Sequence, residues 1–392
     1  MKTIRRSFSI FLVLCFAALP LLFAQAPDKS TAKKNYLAFV GTYTSKTASK
    51  GIYAFRYDAN SGKLSPIGVA AETQDPSWIA IYPDGKFLYA VNEAGKDSSV
   101  SSFAVDAKKG KLTPVNQMYA LGEDPCYISL DKKGWYVLTA YYTSGNVAVF
   151  PLTVDGFLDE HSSLVIDKGA SGPNKGRQDG PHAHWIETSA DDRYAYVSDL
   201  GLDRILIYKF DSAKGILSVP DGKQQDSSSL TLPPGSGPRH LALSHDGKVM
   251  YVLGELQSTV AVFVSDTRGK FHLLQTISSL PQGYSGRNDA AEIAIHPNGR
   301  FLYASNRGHD SIAAFHIDPA SGKLTPAGDY SVLGKEPRHF AIDPSGNFLL
   351  AEDQLSDKIV TFRIDQKTGA LTPTGDSVEV PSPVCLVFLP VD

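Results

Sequence analysis

Six times along this chain the same pattern recurs: a Pro or Ala, an alternating apolar run, a turn that usually ends in Gly, and a second alternating run. The copies are PSWIAIYPDGKFLYAVNE from Pro76, PCYISLDKKGWYVLTAYY from Pro125, PHAHWIETSADDRYAYVSDLG from Pro181, PRHLALSHDGKVMYVLGE from Pro238, AAEIAIHPNGRFLYASNR from Ala290 and PRHFAIDPSGNFLLAEDQ from Pro337, at intervals of 47 to 57 residues. A third alternating run such as STVAVFVSD follows each, and usually a turn and a fourth such as SGKLTPA. Short runs of period two, broken by Asp-Gly, Asn-Gly or Ser-Gly, predict antiparallel hairpins. Helical periodicity is nowhere sustained. Four-stranded units of this size cannot bury both faces alone, so they stack radially.

The chain ends complete the count. YLAFVGTY from Tyr36 matches the second run of a unit, GIYAFRYD the third and SGKLSPIG the fourth, while the missing first run is found in PSPVCLVFL from Pro381. The expectation is all-β: one seven-bladed β-propeller of four-stranded antiparallel blades, its ring closed by pairing of the C-terminal strand with the N-terminal strands. It would occupy residues 36–392.

Ahead of it, Lys2, Arg5 and Arg6 precede an apolar stretch from Phe8 to Phe23 and then Ala24-Gln25-Ala26. This reads as a cleavable signal peptide over residues 1–26, cut after Ala24 or Ala26, followed by a polar tether over 27–35. A periplasmic or secreted protein is expected, with no stable membrane insertion after cleavage. Beyond the signal only Cys126 and Cys385 remain, so buried free thiols are expected rather than a disulfide framework. A net charge of −3 without a dense basic stretch excludes nucleic acid as a partner. No CxxC or HExxH pattern points to a metal, and no cofactor motif occurs. A monomer is expected.

The turns fall eight to nine residues after each starting Pro, so the residues just after that Pro lie beside those some seventeen positions on. Seven such pairs would ring one mouth of the central channel, where side chains are free to serve function. These positions hold Ser77-Trp78, Cys126-Tyr127, His182-Ala183, Arg239-His240, Ala291-Glu292, Arg338-His339 and Ser382-Pro383, and across from them Glu93, Tyr142, Asp199 to Gly201, Glu255, Arg307 and Gln354, with Tyr43 in the closing blade. His184, His309 and Glu352 are close by, and five of the ten histidines belong to this set, where a scaffold strand would prefer Val or Ile. His245 and His296 fall in the opposite turns and are expected to face solvent.

FVGTYTSKTASKGIYAFRYD, GPHAHW, SDLGLDRILIY, GSGPRHLALS, AEIAIHPNGRFLYASNRGHDSI and PRHFAIDPSGNFLLAEDQ together resemble the propeller-type 6-phosphogluconolactonases, a group related to the fungal carboxy-muconate lactonizing enzyme. The resemblance runs from Tyr36 to Pro390 and implies a metal-free site at the channel mouth that acts on lactones. By motif the family's histidine falls on His182 or His184, its arginines on Arg239 and Arg307, and its glutamate on Glu255.

Lactone opening needs a base for water and a cation for the developing oxyanion. Glu255 or His182 is the expected base, Arg239 the oxyanion stabiliser and Arg307 the clamp on an acid or phosphate tail. His184, His240, Glu292, Arg338 and His309 are expected to support substrate binding. The alternatives are a secreted non-catalytic binding propeller and a muconate-lactonizing cycloisomerase. A calcium lactonase is disfavoured, because Arg and His are mixed into the mouth.

Overall fold

The structure, a computed structural model, describes residues 35–169, 171–220 and 229–391. The expected signal peptide over 1–26 and the tether over 27–35 lie outside the described residues except for Asn35, which opens the first strand. Seven antiparallel sheets follow one another along the chain. Six are made of consecutive strands: β4–β7 (78–119), β8–β11 (125–166), β12–β16 (183–231), β17–β20 (238–278), β21–β24 (289–331) and β25–β28 (337–379). The seventh has the order β29-β1-β2-β3, from β1 (Asn35–Thr42), β2 (Gly51–Asp58), β3 (Lys63–Glu72) and β29 (Pro383–Pro390). Tyr36 pairs with Pro390 and Val40 with Leu386, so the last strand is the innermost of the blade that the first three begin. The expected fold and closure are both present.

One blade departs from four strands. In the third, Ser229–Thr231 pairs with the start of Arg204–Asp211 while Ile216–Ser218 pairs with its end, giving five strands.

Blades adhere through interleaved apolar side chains. Leu37, Phe39, Ile79, Leu88 and Leu389, all at most 5% exposed, form one cluster between the closing blade and the first. The tyrosine of the FLYA-type motif adds a polar tie. Tyr251 donates to Gly322 O (2.9 Å), Tyr303 to Gly369 O (2.8 Å) and Tyr89 to Gly156 O (3.3 Å), each reaching the outer hairpin of the following blade. A buried hydroxyl left unpaired would cost about 1–3 kcal/mol, so this contact helps fix how neighbouring blades meet.

His296 corrects an expectation. It is 2% exposed, its Nδ1 accepts from Asn298 N (3.1 Å), and its Nε2 donates to Gly346 O (2.7 Å) in the next blade. The turn is not free because adjacent turns pack on one another. His245 is exposed.

Candidate active site

The inner strands share an irregularity that decides which side chains reach the channel. In five blades the register of the first hairpin slips just after its start: between Pro125 and Tyr127, Ala183 and Trp185, Pro238 and Leu241, Ala290 and Ile293, and Pro337 and His339. The unpaired residues are Cys126, His184, Arg239 with His240, Ala291 with Glu292, and Arg338. A bulge turns a side chain out of the alternating pattern and is common beside active sites. Here it is repeated around the ring.

At that end of the channel lies a cavity of about 190 Å³ lined by Glu93, Cys126, Tyr142, Arg177, His184, Glu255, Arg307 and Arg338. A larger depression of about 740 Å³ surrounds His245 and Asp246 at the opposite turns, but its charged side chains are mostly exposed.

Glu255 is the electrostatic centre of the cavity wall. Arg177 Nη2 bonds to its Oε1, Arg307 Nη2 lies 3.2 Å from the same oxygen, and Arg239 Nε lies 3.2 Å from Oε2. The Arg239 and Arg307 approaches are ion pairs without hydrogen-bond alignment, so those two buried donors remain unsatisfied. Burial pushes the Glu255 carboxyl up, yet Arg307 and Arg239 foremost, with Arg177, hold it well below the usual carboxylate range. A carboxylate so stabilised is a poor proton acceptor. Glu255 therefore sits where expected, but its surroundings suit an anchor for guanidiniums rather than a base.

Arg239 is 2% exposed and stands behind the cavity wall, with its Nη1 donating to Ala291 O (2.6 Å). Burial first, then Arg338 and Arg307, pull it down to about 9, so it stays cationic at neutral pH. Arg307 and Arg338 line the cavity themselves, which suits them better than Arg239 for meeting an oxyanion.

Of the two histidines in GPHAH, His184 lines the cavity and His182 does not. The His182 ring stacks on Tyr142 (4.6 Å, 18°), its Nδ1 is 2.7 Å from Tyr142 O and its Nε2 2.9 Å from Asp179 Oδ1. With both nitrogens facing acceptors, it positions Tyr142 and is not free to serve as a base. His184 lies with Nδ1 3.7 Å from Cys126 Sγ. Burial, then Arg239, holds it well below its ordinary value, so its imidazole is neutral.

His240 and Glu292 form the layer beneath. His240, 1% exposed, meets Glu292 Oε2 through Nδ1 (2.9 Å) and lies 3.3 Å from Arg239 Nη1. Glu292 is followed by His339 (3.8 Å), whose Nδ1 is 2.6 Å from Glu352 Oε2. Trp78 closes this layer edge-on to His240 and His339, at 5.0 and 5.1 Å. His240 and Glu292, expected to support substrate binding, stand behind the wall and do not line the cavity. His309 is further removed. It packs against Tyr284 (4.6 Å) and Ser311 Oγ (2.7 Å) and does not line the cavity either.

Arg177 is the wall residue that the repeat does not foretell. It comes from the segment before Pro181, held by Gln178, whose Nε2 donates to Leu200 O (2.9 Å) and Asp203 Oδ1 (2.8 Å). Gly201 makes room for this segment: a Cβ there would stand 1.7 Å from Gly180 O. The only sequence signal was the long interval from Pro125 to Pro181 together with a lone Arg in its last part. Among the described residues both cysteines, Cys126 and Cys385, are free and buried, and no group of three or more His, Cys, Asp or Glu is placed to hold a metal ion.

Residues 37–388 match the family described as Lactonase, 7-bladed beta-propeller. The chain is 36% identical over 355 residues to the 6-phosphogluconolactonase of Bacillus subtilis, covering 90% of this chain and 98% of that one. It is 34% identical over 310 residues to the 6-phosphogluconolactonase of Formosa agariphila, covering 77% and 85%. Among solved structures, the periplasmic gluconolactonase PpgL of Pseudomonas aeruginosa superposes with a TM-score of 0.84 at 35% identity, over 91% of this chain and 99% of that one. The family match spans the whole ring and includes every strand that contributes to the cavity, and the chain belongs to the lactonase family of seven-bladed β-propellers.

Proposed function

We propose that this chain hydrolyses the lactone of a sugar acid in the channel-mouth cavity by metal-free general acid/base catalysis. The observation that carries the reading is the charge of the wall: Arg177, Arg307 and Arg338 line it, Arg239 stands behind it, and two carboxylates, Glu93 and Glu255, oppose them. A small site with excess guanidinium charge suits a substrate that carries, or develops, negative charge on oxygen. The similarity to 6-phosphogluconolactonases and to a periplasmic gluconolactonase supports the same reading. Arg307 and Arg338 meet the carbonyl oxygen and the acid or phosphate tail, Glu255 keeps the guanidiniums apart and aimed, and His184 supplies a neutral imidazole at the wall.

The signal over residues 1–26 and the tether over 27–35 make the enzyme an exported one, acting on a lactone available outside the cytoplasm. Hydrolysis of a panel of δ- and γ-lactones, phosphorylated and not, by purified protein tests the activity. Turnover of none of them, with retained binding of sugar acids, favours a binding propeller. Mass spectrometry of periplasmic protein tests export, with a chain that starts at Gln25 or Pro27 as the expected result.

A further inference from the structure

The cavity wall holds two carboxylates, and their surroundings are opposite. Glu255 spends its oxygens on three guanidiniums. Glu93, on the far side of the ring, accepts a hydrogen bond from Tyr43 Oη (2.7 Å). Its main chain is fixed by donation from Glu93 N to Asp75 O (3.0 Å). Tyr43 in turn accepts from Arg338 Nη2 (2.8 Å), and the Arg338 guanidinium lies 5.2 Å from the centre of the Tyr43 ring. Because a guanidinium can only donate, the Tyr43 proton must point at Glu93. The carboxylate is therefore held in one orientation by a neutral hydroxyl and is not neutralised by a direct ion pair.

We propose that Glu93 is the proton acceptor for the water that opens the lactone, with Tyr43 and Arg338 as its positioning residues. The proposal rests on the lactonase reading above. In the first step a water O–H bond breaks, its proton passes to the Glu93 carboxylate, and the water oxygen bonds to the carbonyl carbon, while the carbonyl π pair moves onto oxygen beside the cavity guanidiniums. In the second step that pair re-forms the C=O bond, the ring C–O bond breaks, and the departing alkoxide takes the proton back from Glu93. Lactone and water become the hydroxy acid, which then loses its carboxyl proton to solvent, and Glu93 ends ionised as it began.

The groups that face Glu93 agree with this role. Burial pushes its carboxyl above the usual range, Arg338 partly offsets this, the Tyr43 hydroxyl favours the ionised form, and Asp124 opposes it. The Cys126 thiol is the other titratable neighbour, and burial keeps it protonated. A raised carboxyl is a better match for proton transfer near neutral pH than the depressed Glu255.

The test compares Glu93→Gln, Glu93→Asp and Tyr43→Phe with wild type on whichever lactone the panel finds best, with gluconate and 6-phosphogluconate binding measured by calorimetry. Glu93→Gln is expected to lower kcat by about 100-fold or more with KM and acid binding within about threefold, and Glu93→Asp to recover part of the rate. Tyr43→Phe removes a bond that favours the ionised carboxylate, so the acid limb of kcat/KM should move to higher pH. That shift also decides the matter if the Gln variant fails to fold. Wild-type turnover in Glu93→Gln, or an unmoved acid limb in Tyr43→Phe, would overturn the assignment while leaving the lactonase reading intact. A wild type inactive on every lactone overturns both.

Discussion

His339 Nε2 stands 3.8 Å from Glu292 Oε2 in the layer under the cavity, and the two groups depart from their ordinary values in opposite directions. Burial pushes Glu292 up to about 7, with His339 and Arg239 pulling the other way, while burial pushes His339 down to about 4. A carboxyl raised in the folded state destabilises the fold as pH rises from its unfolded value to its folded one. A lowered histidine does the reverse, because the unfolded chain binds the proton first.

In wild type these slopes oppose each other between about pH 4.5 and 6.5. Glu292→Gln removes the falling one. The melting temperature of the variant relative to wild type is expected to increase steadily from pH 4.5 to 7, by an amount equivalent to about 3 kcal/mol at most. Calorimetric melts across that range check it, and a constant difference between the two proteins would contradict the assignment.

Glu255→Gln leaves Arg177, Arg239 and Arg307 facing one another without their common counter-charge. Breaking a buried ion pair by removing one partner costs on the order of 3–5 kcal/mol, so the variant should melt well below wild type. An anionic product that takes the place of the carboxylate should restore part of this loss. Saturating gluconate is expected to raise the variant's melting temperature more than that of wild type, as thermal shift assays would read directly.

Arg177 reaches the cavity from a segment outside the strands and is about one-third exposed. Glu255 keeps two other guanidiniums without it, so Arg177→Ala should spare the wall and weaken the grip on substrate. The expectation is a KM raised about tenfold with kcat within about threefold, and a larger effect on phosphorylated lactones. A fall in kcat with unchanged KM would instead place Arg177 in the chemistry.

Removal of Pro383–Pro390 takes the innermost strand from the closing blade and exposes the ladder edge of β1. It also strips Cys385, Leu386 and Leu389 from two core clusters. Such a chain is expected to lose its cooperative melt and to elute as aggregates in size-exclusion chromatography, since a long unpaired edge templates association. A monomer with a sharp melt would show that closure adds little.

The ring was legible because strand periodicity and turn chemistry repeat seven times, so errors at any one blade are corrected by the others. The general location of the site was legible for the same reason: the residues after each Pro and those opposite converge whatever the details. What escaped was local. Bulges shift alternation by a residue, which is why His184 and not His182 reaches the cavity, and why Arg239 and His240 lie deeper than their neighbour positions suggest. Arg177 comes from a segment with no counterpart in the other units. The contrast between Glu93 and Glu255 depends on which cations surround each carboxylate, and that is set by blades distant in sequence.

The strand order β29-β1-β2-β3 also sets a timetable. Every other blade finds its strands within one short stretch of chain, so it can form as soon as that stretch is made. The closing blade cannot, because its inner strand follows the six other blades in the chain, and Tyr36 waits for Pro390. Contacts so remote in sequence form late and slowly. The ring is thus completed only after the other six blades have been made, and until then β1 presents an open edge. A chain that ran each blade from inner strand to outer without exception would have no such interval.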